Sequence, residues 1–590
     1  MHEKYPGREY PRGGFGMKII KHLVVLIIVL ITCGYPGKAS AILNDDAEGK
    51  WSLMGKWQSQ ATFRTEDAPD NTPVPFAAGD MTSQRNTLLL QWKHDLGRPM
   101  FDTKIEYDIK GRVFYDGSWD YGPEVMKSDS ERQKYVLNNR KIVNDRDEIN
   151  DEKWKAEFFQ AYADLTKGPV FARIGRQVLS WGEMSTIRIL DGCNPMDTSS
   201  LSVDLQERLI PLWMIRGNLA FDAVGPFTSL SVGGYYVPGK IDNTYEQKML
   251  DGSPIMPTIG RDLETDMSDP FSMAALKQYI RMKDSDIDKD RYGIKLGMMM
   301  ANGLDLNLVY YRMYSDLPVP QIDVDAIEPI TVNPMMIDMH DPMGSILGTQ
   351  LLNVVKTHDI VDVFGTSFNY YISAIDTVLR VEGAYYNDMP KMPPGYLSDV
   401  VDALSSKATV IGINQTIQDL INIFPLGRMG AKVLPFTSGE IPTYDVAKYG
   451  FGLDKWIKVP KISPADILVT FEYVGSTTLN YKSHQLVQPW YCPWDDNQDG
   501  HWDPVWEPRQ SSTFILIFRT NYFNGNLVPQ MVTMFEVEPQ ALVLYPSARY
   551  SWKKFDFDAS LFFTVGKGYQ GTLGMLQHRD ELSFSITYNF

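Results

Sequence analysis

The last nine residues alternate without a break. Leu582, Phe584, Ile586, Tyr588 and Phe590 are apolar, while Ser583, Ser585, Thr587 and Asn589 between them are polar. Successive side chains of a strand point to opposite faces, so a period of two predicts a strand with one dry face. The rhythm also runs through 555–565, where Phe555, Phe557, Ala559, Leu561, Phe563 and Val565 alternate with Asp556, Asp558, Ser560 and Thr564, and only Phe562 breaks the order. It returns at 88–94, 105–115, 227–235, 304–310, 379–385 and 467–473. Charged residues such as Arg380, Glu382 and Glu472 stand on the polar side of these segments.

Many such strands fit two architectures. A soluble sandwich would bury the dry face in a core, and roughly 550 residues of it should break into domains with linkers or repeats. Neither is visible. A transmembrane barrel turns the apolar face to lipid and the polar face to a lumen, with aromatic residues at both interfaces. Closure also satisfies every backbone N–H and C=O where there is no water. Aromatic residues make up 12% of the chain, enough for such girdles. The expected fold is all-β: a transmembrane antiparallel β-barrel of roughly 14–18 strands, with helical or irregular loop insertions.

Parity assigns the connections. If Phe590 lies at the periplasmic end, 566–581 is an external loop and 551–554 a periplasmic turn. Counting back puts 538–540 outside, the hairpin signal Asn524-Gly525 inside, and the long 479–510 segment outside. Three insertions do not read as strands. Segment 127–155 is crowded with charge and 318–359 is rich in Pro and Met. In 396–434 the residues Leu397, Val400, Val401, Leu404, Ile417, Leu420, Ile421 and Phe424 recur at helical steps. Such a segment can fold inward as a constriction, cap the mouth, or pack on the surface.

The N-terminus reads as an export leader. Leu23 to Ile31 is the one unbroken aliphatic stretch, shorter than the roughly 20 apolar residues of a spanning helix. Met17, Lys18 and Lys21 supply a basic start and Ala39-Ser40-Ala41 a small-residue cleavage site. Residues 1–41 are therefore expected to be a signal peptide starting at Met17, and 42–590 a single barrel in the outer membrane of a Gram-negative bacterium. Losing six basic and two acidic residues with the leader takes the net charge from −16 to −20. That excludes a nucleic-acid binder, which needs a basic patch. Cys33 leaves with the leader, and Cys193 and Cys492 remain as a candidate disulfide in an oxidising compartment.

Alternation fails in one dense block, where Ile174 and Arg176 would share a face. It holds Arg173-Ile174-Gly175-Arg176-Gln177, then Trp181-Gly182-Glu183, Asn194-Pro195-Met196-Asp197 and Glu207-Arg208-Leu209-Ile210-Pro211. Arginines and carboxylates this close can pair bidentately, bracing an infolded loop or charging a constriction. The order R-x-G-R-Q, W-G-E, N-P-x-D, E-R-x-x-P resembles an uncharacterised family of proteobacterial outer-membrane barrels classed as a domain of unknown function. The resemblance runs from about residue 50 to the C-terminus, with its motifs confined to the 170–217 block. It implies a barrel. Members of that family tend to sit beside genes for resistance-nodulation-division-type exporters and periplasmic lipid-carrier-like proteins, which implies handling of hydrophobic molecules. No family catalytic residues exist to carry over.

A second constellation, Asp495, Asn497, Asp499 and Asp503 with Gly500 at the turn, matches the first nine positions of a calcium loop, although Trp506 stands where the twelfth-position Glu belongs. Calcium in an external loop is the one cofactor it implies. Eight scattered histidines and the lack of any nucleophile, zinc or phosphate-loop motif argue against an enzyme. The expected function is passage or hand-off of small apolar or amphipathic molecules through a loop-constricted lumen, shaped by Arg173, Arg176, Gln177, Trp181, Glu183 and Asp197. Expected partners are outer-membrane lipid, the barrel assembly machinery, an inner-membrane exporter and a periplasmic carrier. The rivals are a sealed surface-interaction barrel and a barrel-embedded lipid hydrolase.

Overall fold

The computed structural model describes residues 51–67, 76–98, 101–127, 153–196, 208–244, 280–333 (without 286 and 317), 336, 352–396, 404, 406–410, 433–434, 437, 439–487, 506–538, 540–566, 571–574 and 576–590. Eighteen strands form one sheet. In chain order they are β1 Trp51–Arg64, β2 Met81–Asp95, β3 Lys104–Asp116, β4 Trp154–Lys167, β5 Val170–Gln177, β6 Leu212–Phe221, β7 Phe227–Val237, β8 Arg291–Met300 and β9 Asp305–Tyr314. They continue as β10 Ile360–Ile372, β11 Thr377–Pro390, β12 Thr443–Ile457, β13 Ile467–Thr478, β14 Gln510–Arg519, β15 Leu527–Glu536, β16 Ala541–Trp552, β17 Phe555–Gly566 and β18 Glu581–Asn589. Each pairs antiparallel with the next, and β1 pairs with β18 from Lys56↔Asn589 to Arg64↔Glu581. The sheet is a closed barrel with no free edge, at the upper end of the expected strand count.

Alternation explains the wall. On β18, Phe584 and Ile586 are exposed on the outside, while Ser585 and Thr587 are buried inside. Around the barrel, Ile174, Ile215, Ile294, Leu308 and Ile586 form an exposed apolar waist. Trp154, Phe158, Trp213, Tyr236 and Phe535 ring one end of the strands, and Trp92, Tyr371, Trp456, Tyr550 and Trp552 the other. An exposed apolar belt flanked by aromatic rings is the surface of a wall that faces lipid.

Connections sort by length. The tight ones, including 168–169, 222–226, 301–304, 373–376 and 553–554, share one end. The long ones, 117–153, 178–211, 238–290, 315–359, 391–442 and 479–509, share the other, as parity requires. At Asn524-Gly525 both residues take positive φ (58° and 89°), the conformation a tight reversal needs and one that Asn and Gly tolerate best.

Two expectations change. The 318–359 insertion contains short strands, Val319–Ile322, Ile330–Val332 and Leu352–Thr357. Leu352–Thr357 pairs antiparallel with Val319–Ile322 and parallel with Ile280–Asp284, long-range partners that no local period reveals. The described parts of the 396–434 insertion likewise include Ala408–Val410, paired parallel with Ile330–Val332, and Val433–Leu434, paired with Gly395–Tyr396. Most of its helically spaced residues, and most of 127–155, lie outside the described residues, as do residues 1–41. Phe562, the break in the pattern, faces inward at 8% exposure and packs with Ala541, Val543 and Leu573 under the last loop.

The sidedness can be tested by charge. Ile215→Arg, on the outer waist, is expected to lower folding stability in lipid vesicles by about 2–4 kcal/mol. Gln58→Arg, on the polar inner face, is expected to change it by about 0.5 kcal/mol or less. Equal effects in urea titrations would contradict the assigned faces.

Candidate functional site

The connection 178–211 runs from β5 to β6 at the long-loop end, and its described part folds into the barrel instead of standing outside. One side chain ties its neck. Buried Asn194 accepts from the Leu179 N–H at 2.8 Å and donates to the carbonyls of Ile210 at 2.9 Å and Gln177 at 3.4 Å. A single amide therefore joins both legs of the loop. Gln177, fully buried, donates to the Met214 carbonyl on β6 at 3.1 Å.

Beyond the neck, five successive backbone N–H groups each meet a carboxylate. Trp181 and Gly182 donate to Asp191 at 2.6 and 2.7 Å, joined by the Ser180 hydroxyl at 3.0 Å. Glu183 and Met184 donate to one oxygen of Glu382, the second at 2.8 Å. Ser185 donates to Glu472 through its N–H at 3.0 Å and its hydroxyl at 2.7 Å. Asp191 belongs to the loop itself, but Glu382 and Glu472 stand on β11 and β13, far around the ring from β5 and β6. Both are almost fully buried, at 1% and 0% exposure. Arg380 on β11 donates to the Glu183 carbonyl and pairs with Asp454 at 2.8 Å and Glu472 at 2.9 Å. Buried amides need acceptors and buried carboxylates need donors, and each supplies the other here. The loop is fastened to the far wall of the lumen.

Its apolar residues seat in notches. A Cβ at Gly365 would stand 2.3 Å from the Leu190 side chain, and one at Gly450 2.8 Å from that of Ile189, so only glycine leaves them room. The ring of Trp181 covers Gly293 and meets Tyr235 edge-on at 5.1 Å between centroids. Tyr386 donates to the Ile189 carbonyl at 2.6 Å. Ile189, Leu190, Met184 and Cys193 thus join Tyr311, Val363, Tyr386 and Val446 in an apolar core inside the barrel. The core lies against one side only, β6 to β13. The inner faces of β1–β4 and β16–β18 carry half-exposed polar residues instead, among them Gln58, Gln91, Gln160, Ser547 and Ser560.

The signature residues take varied places. Arg173 pairs bidentately with Asp164 at 2.5 and 2.7 Å and lies over the Tyr162 ring. Arg176 contacts Glu157 at 3.4 Å, a carboxylate that Arg112 also holds, so both arginines are engaged in the wall. The strand pattern breaks at Gly175, whose φ of 132° disfavours any side chain. Glu183 acts through its backbone rather than its carboxylate. Arg208 is half-buried just ahead of the Met196↔Leu209 bridge. Asp197, Glu207, the four calcium-loop acids Asp495, Asn497, Asp499 and Asp503, and Cys492 lie outside the described residues. Cys193 is a buried free thiol that desolvation pushes up to about 12, far from thiolate reactivity. Asp191, Arg380, Glu382 and Glu472 escaped the motif reading. The one available signal was that charges on the polar side of strands at 379–385 and 467–473 need partners.

Removing Glu382 would leave the Glu183 and Met184 amides without acceptors, at about 1–3 kcal/mol for each unsatisfied group. In Glu382→Ala, trypsin cleavage after Arg188 in the membrane-inserted protein is expected to accelerate roughly tenfold or more. Cleavage at the wild-type rate would show that the loop is held elsewhere.

Among solved structures the chain is similar to OccAB2 of Acinetobacter baumannii, at 10% identity and a TM-score of 0.40, covering 92% of this chain and 98% of that one. It is also similar to OprD of Pseudomonas aeruginosa, at 8% identity and a TM-score of 0.39, covering 92% and 94%. A BenF-like porin from Pseudomonas fluorescens Pf-5 overlaps at 7% identity and a TM-score of 0.40, covering 93% and 100%. No curated protein matches the chain. The chain belongs to the family described as protein of unknown function (DUF1302), which it matches over residues 22–590.

Proposed function

We propose that the protein is an outer-membrane channel whose lumen is narrowed by the infolded 178–196 segment, and that it passes or hands off small amphipathic molecules without a chemical step. The observation that carries this reading is the asymmetry of the lumen. The loop covers the β6–β13 side with apolar side chains, while the inner faces of β1–β4 and part of β16–β18 are polar and half-exposed. A solute moving beside the loop meets both kinds of surface, which suits a molecule with an apolar body and a polar head. Net charge of the wall does not select it alone, because Arg173, Arg176 and Arg380 are already held by carboxylates. Residues 1–41 are read as the leader that exports the chain, and an exporter or periplasmic carrier as the source or receiver of cargo.

A sealed barrel is favoured by one observation, the dry core between the loop and the wall. A hydrolase draws no support from the described histidines. His358 contacts the Ser315 carbonyl, His484 bonds the exposed hydroxyl of its neighbour Ser483, and His578 faces Glu66. Planar-bilayer recording separates channel from sealed barrel. The wild type is expected to show a small steady conductance, and the double variant Glu382→Ala/Glu472→Ala, in which the loop is released, a larger one. Silence from both would favour the sealed barrel.

A further inference from the structure

Beneath the loop, towards the short-turn end, the inner wall of β6–β9 opens into a recess of about 520 Å³. Its geometry follows from the register. On the inward face Arg216 lies opposite Tyr235, and Gly233, two residues along the same strand, lies opposite Lys295. The Cα atoms of Arg216 and Lys295 are therefore about 12 Å apart, two strand spacings by two residues, with both side chains facing the same space. Lys295 has glycine on three sides: Gly233 across the ladder, and Gly293 and Gly297 two residues away on its own strand. Trp181 fills the space over Gly293, while Asn218 leans over Gly233 and Ser231 and Asn307 over Gly297.

Among the described residues neither cation is ion-paired with an anion. Among the described residues Lys295 has no ion pair or hydrogen bond, and Arg216 has only the Phe171 ring, 5.5 Å from its guanidinium carbon. The Nε of Arg216 is buried without a hydrogen-bond partner. The nearest carboxylate along the sheet, Asp164, is occupied by Arg173. Asp305 lines the far rim of the recess without reaching either cation. Elsewhere in this lumen Arg112, Arg173 and Arg380 are each matched by a carboxylate, so two unmatched cations sharing one recess stand out. A half-buried guanidinium with an open donor is costly unless something accepts from it. Phe171, Leu179 and Trp181 give the lining an apolar part, beside Ser180, Ser229 and Ser231.

We infer that this recess is a binding subsite for a monoanion with an apolar body, its head held between Arg216 and Lys295, and its body lying under Trp181. A carboxylate is the simplest such head, and a bidentate carboxylate–guanidinium contact would use the open Arg216 donor. The subsite deepens the passage reading, on which its role in transport rests, but its binding is measurable without any flux.

The test is calorimetry on the full chain in lipid nanodiscs with 4-phenylbutyrate, its uncharged counterpart 4-phenylbutan-1-ol, and inorganic phosphate. The acid is expected to bind at least about tenfold more tightly than either, the worth of one charge-assisted contact. Lys295→Met and Arg216→Met, which keep the aliphatic stems, are each expected to weaken the acid about tenfold while the folded form keeps its gel mobility. Equal affinity for acid and alcohol, affinity unchanged in both variants, or no heat with the acid would overturn the subsite. Phosphate binding as tightly as the acid would overturn the apolar half of it. Binding as expected in a protein that conducts nothing would reject the passage reading and leave the subsite standing.

Discussion

A buried backbone amide must find an acceptor, and neither the lipid around the wall nor the apolar core beneath the infolded loop holds bulk water to provide one. The wall meets this demand by closure, with β1 paired to β18. The infolded loop cannot, because 180–185 forms neither helix nor strand. Its amides are met instead by Asp191, Glu382 and Glu472. That solution fixes the position of the loop, since two of the three carboxylates belong to distant strands. The notches at Gly365 and Gly450, and the unequal division of the lumen, follow from where those contacts hold it.

The same contacts explain why charge inside the barrel is abundant yet mostly silent. Arg380 serves Asp454, Glu472 and the Glu183 carbonyl at once, and Arg173 is locked to Asp164. Such groups hold the wall and the loop in one arrangement, because losing either partner would strand the other in a poorly solvated place. Arg216 and Lys295 lack such a carboxylate among the described residues and share one recess, which gives the pair its weight.

Strand periodicity carried most of the fold because it is a local property: each residue declares its face by its neighbours two positions away. Phe584 and Ile586 outside, with Ser585 and Thr587 inside, need no partner to be read. Phe562 broke the rhythm because its inner environment is the last loop rather than water. The site was only half legible. The 170–217 block was recognisable as special, and Asn194 and Trp181 do shape the loop, while Arg173 and Arg176 pair with carboxylates of the wall and Glu183 meets Glu382 through its backbone. The carboxylates that matter most lie some 200 and 290 positions away, at sequence separations of 198 and 287. Nothing local distinguishes an acid that binds loop amides from one that faces water. The short strands of 318–359 were missed for a related reason, since their partners are non-local.

Hydrogen exchange at the five amides of 181–185, measured on the wild-type protein in lipid, addresses the pinned loop most directly. If the carboxylates of β11 and β13 hold it, those amides exchange as slowly as the barrel strands around them. Exchange at the rate of an open loop, with the strands still protected, would contradict a loop fastened across the lumen.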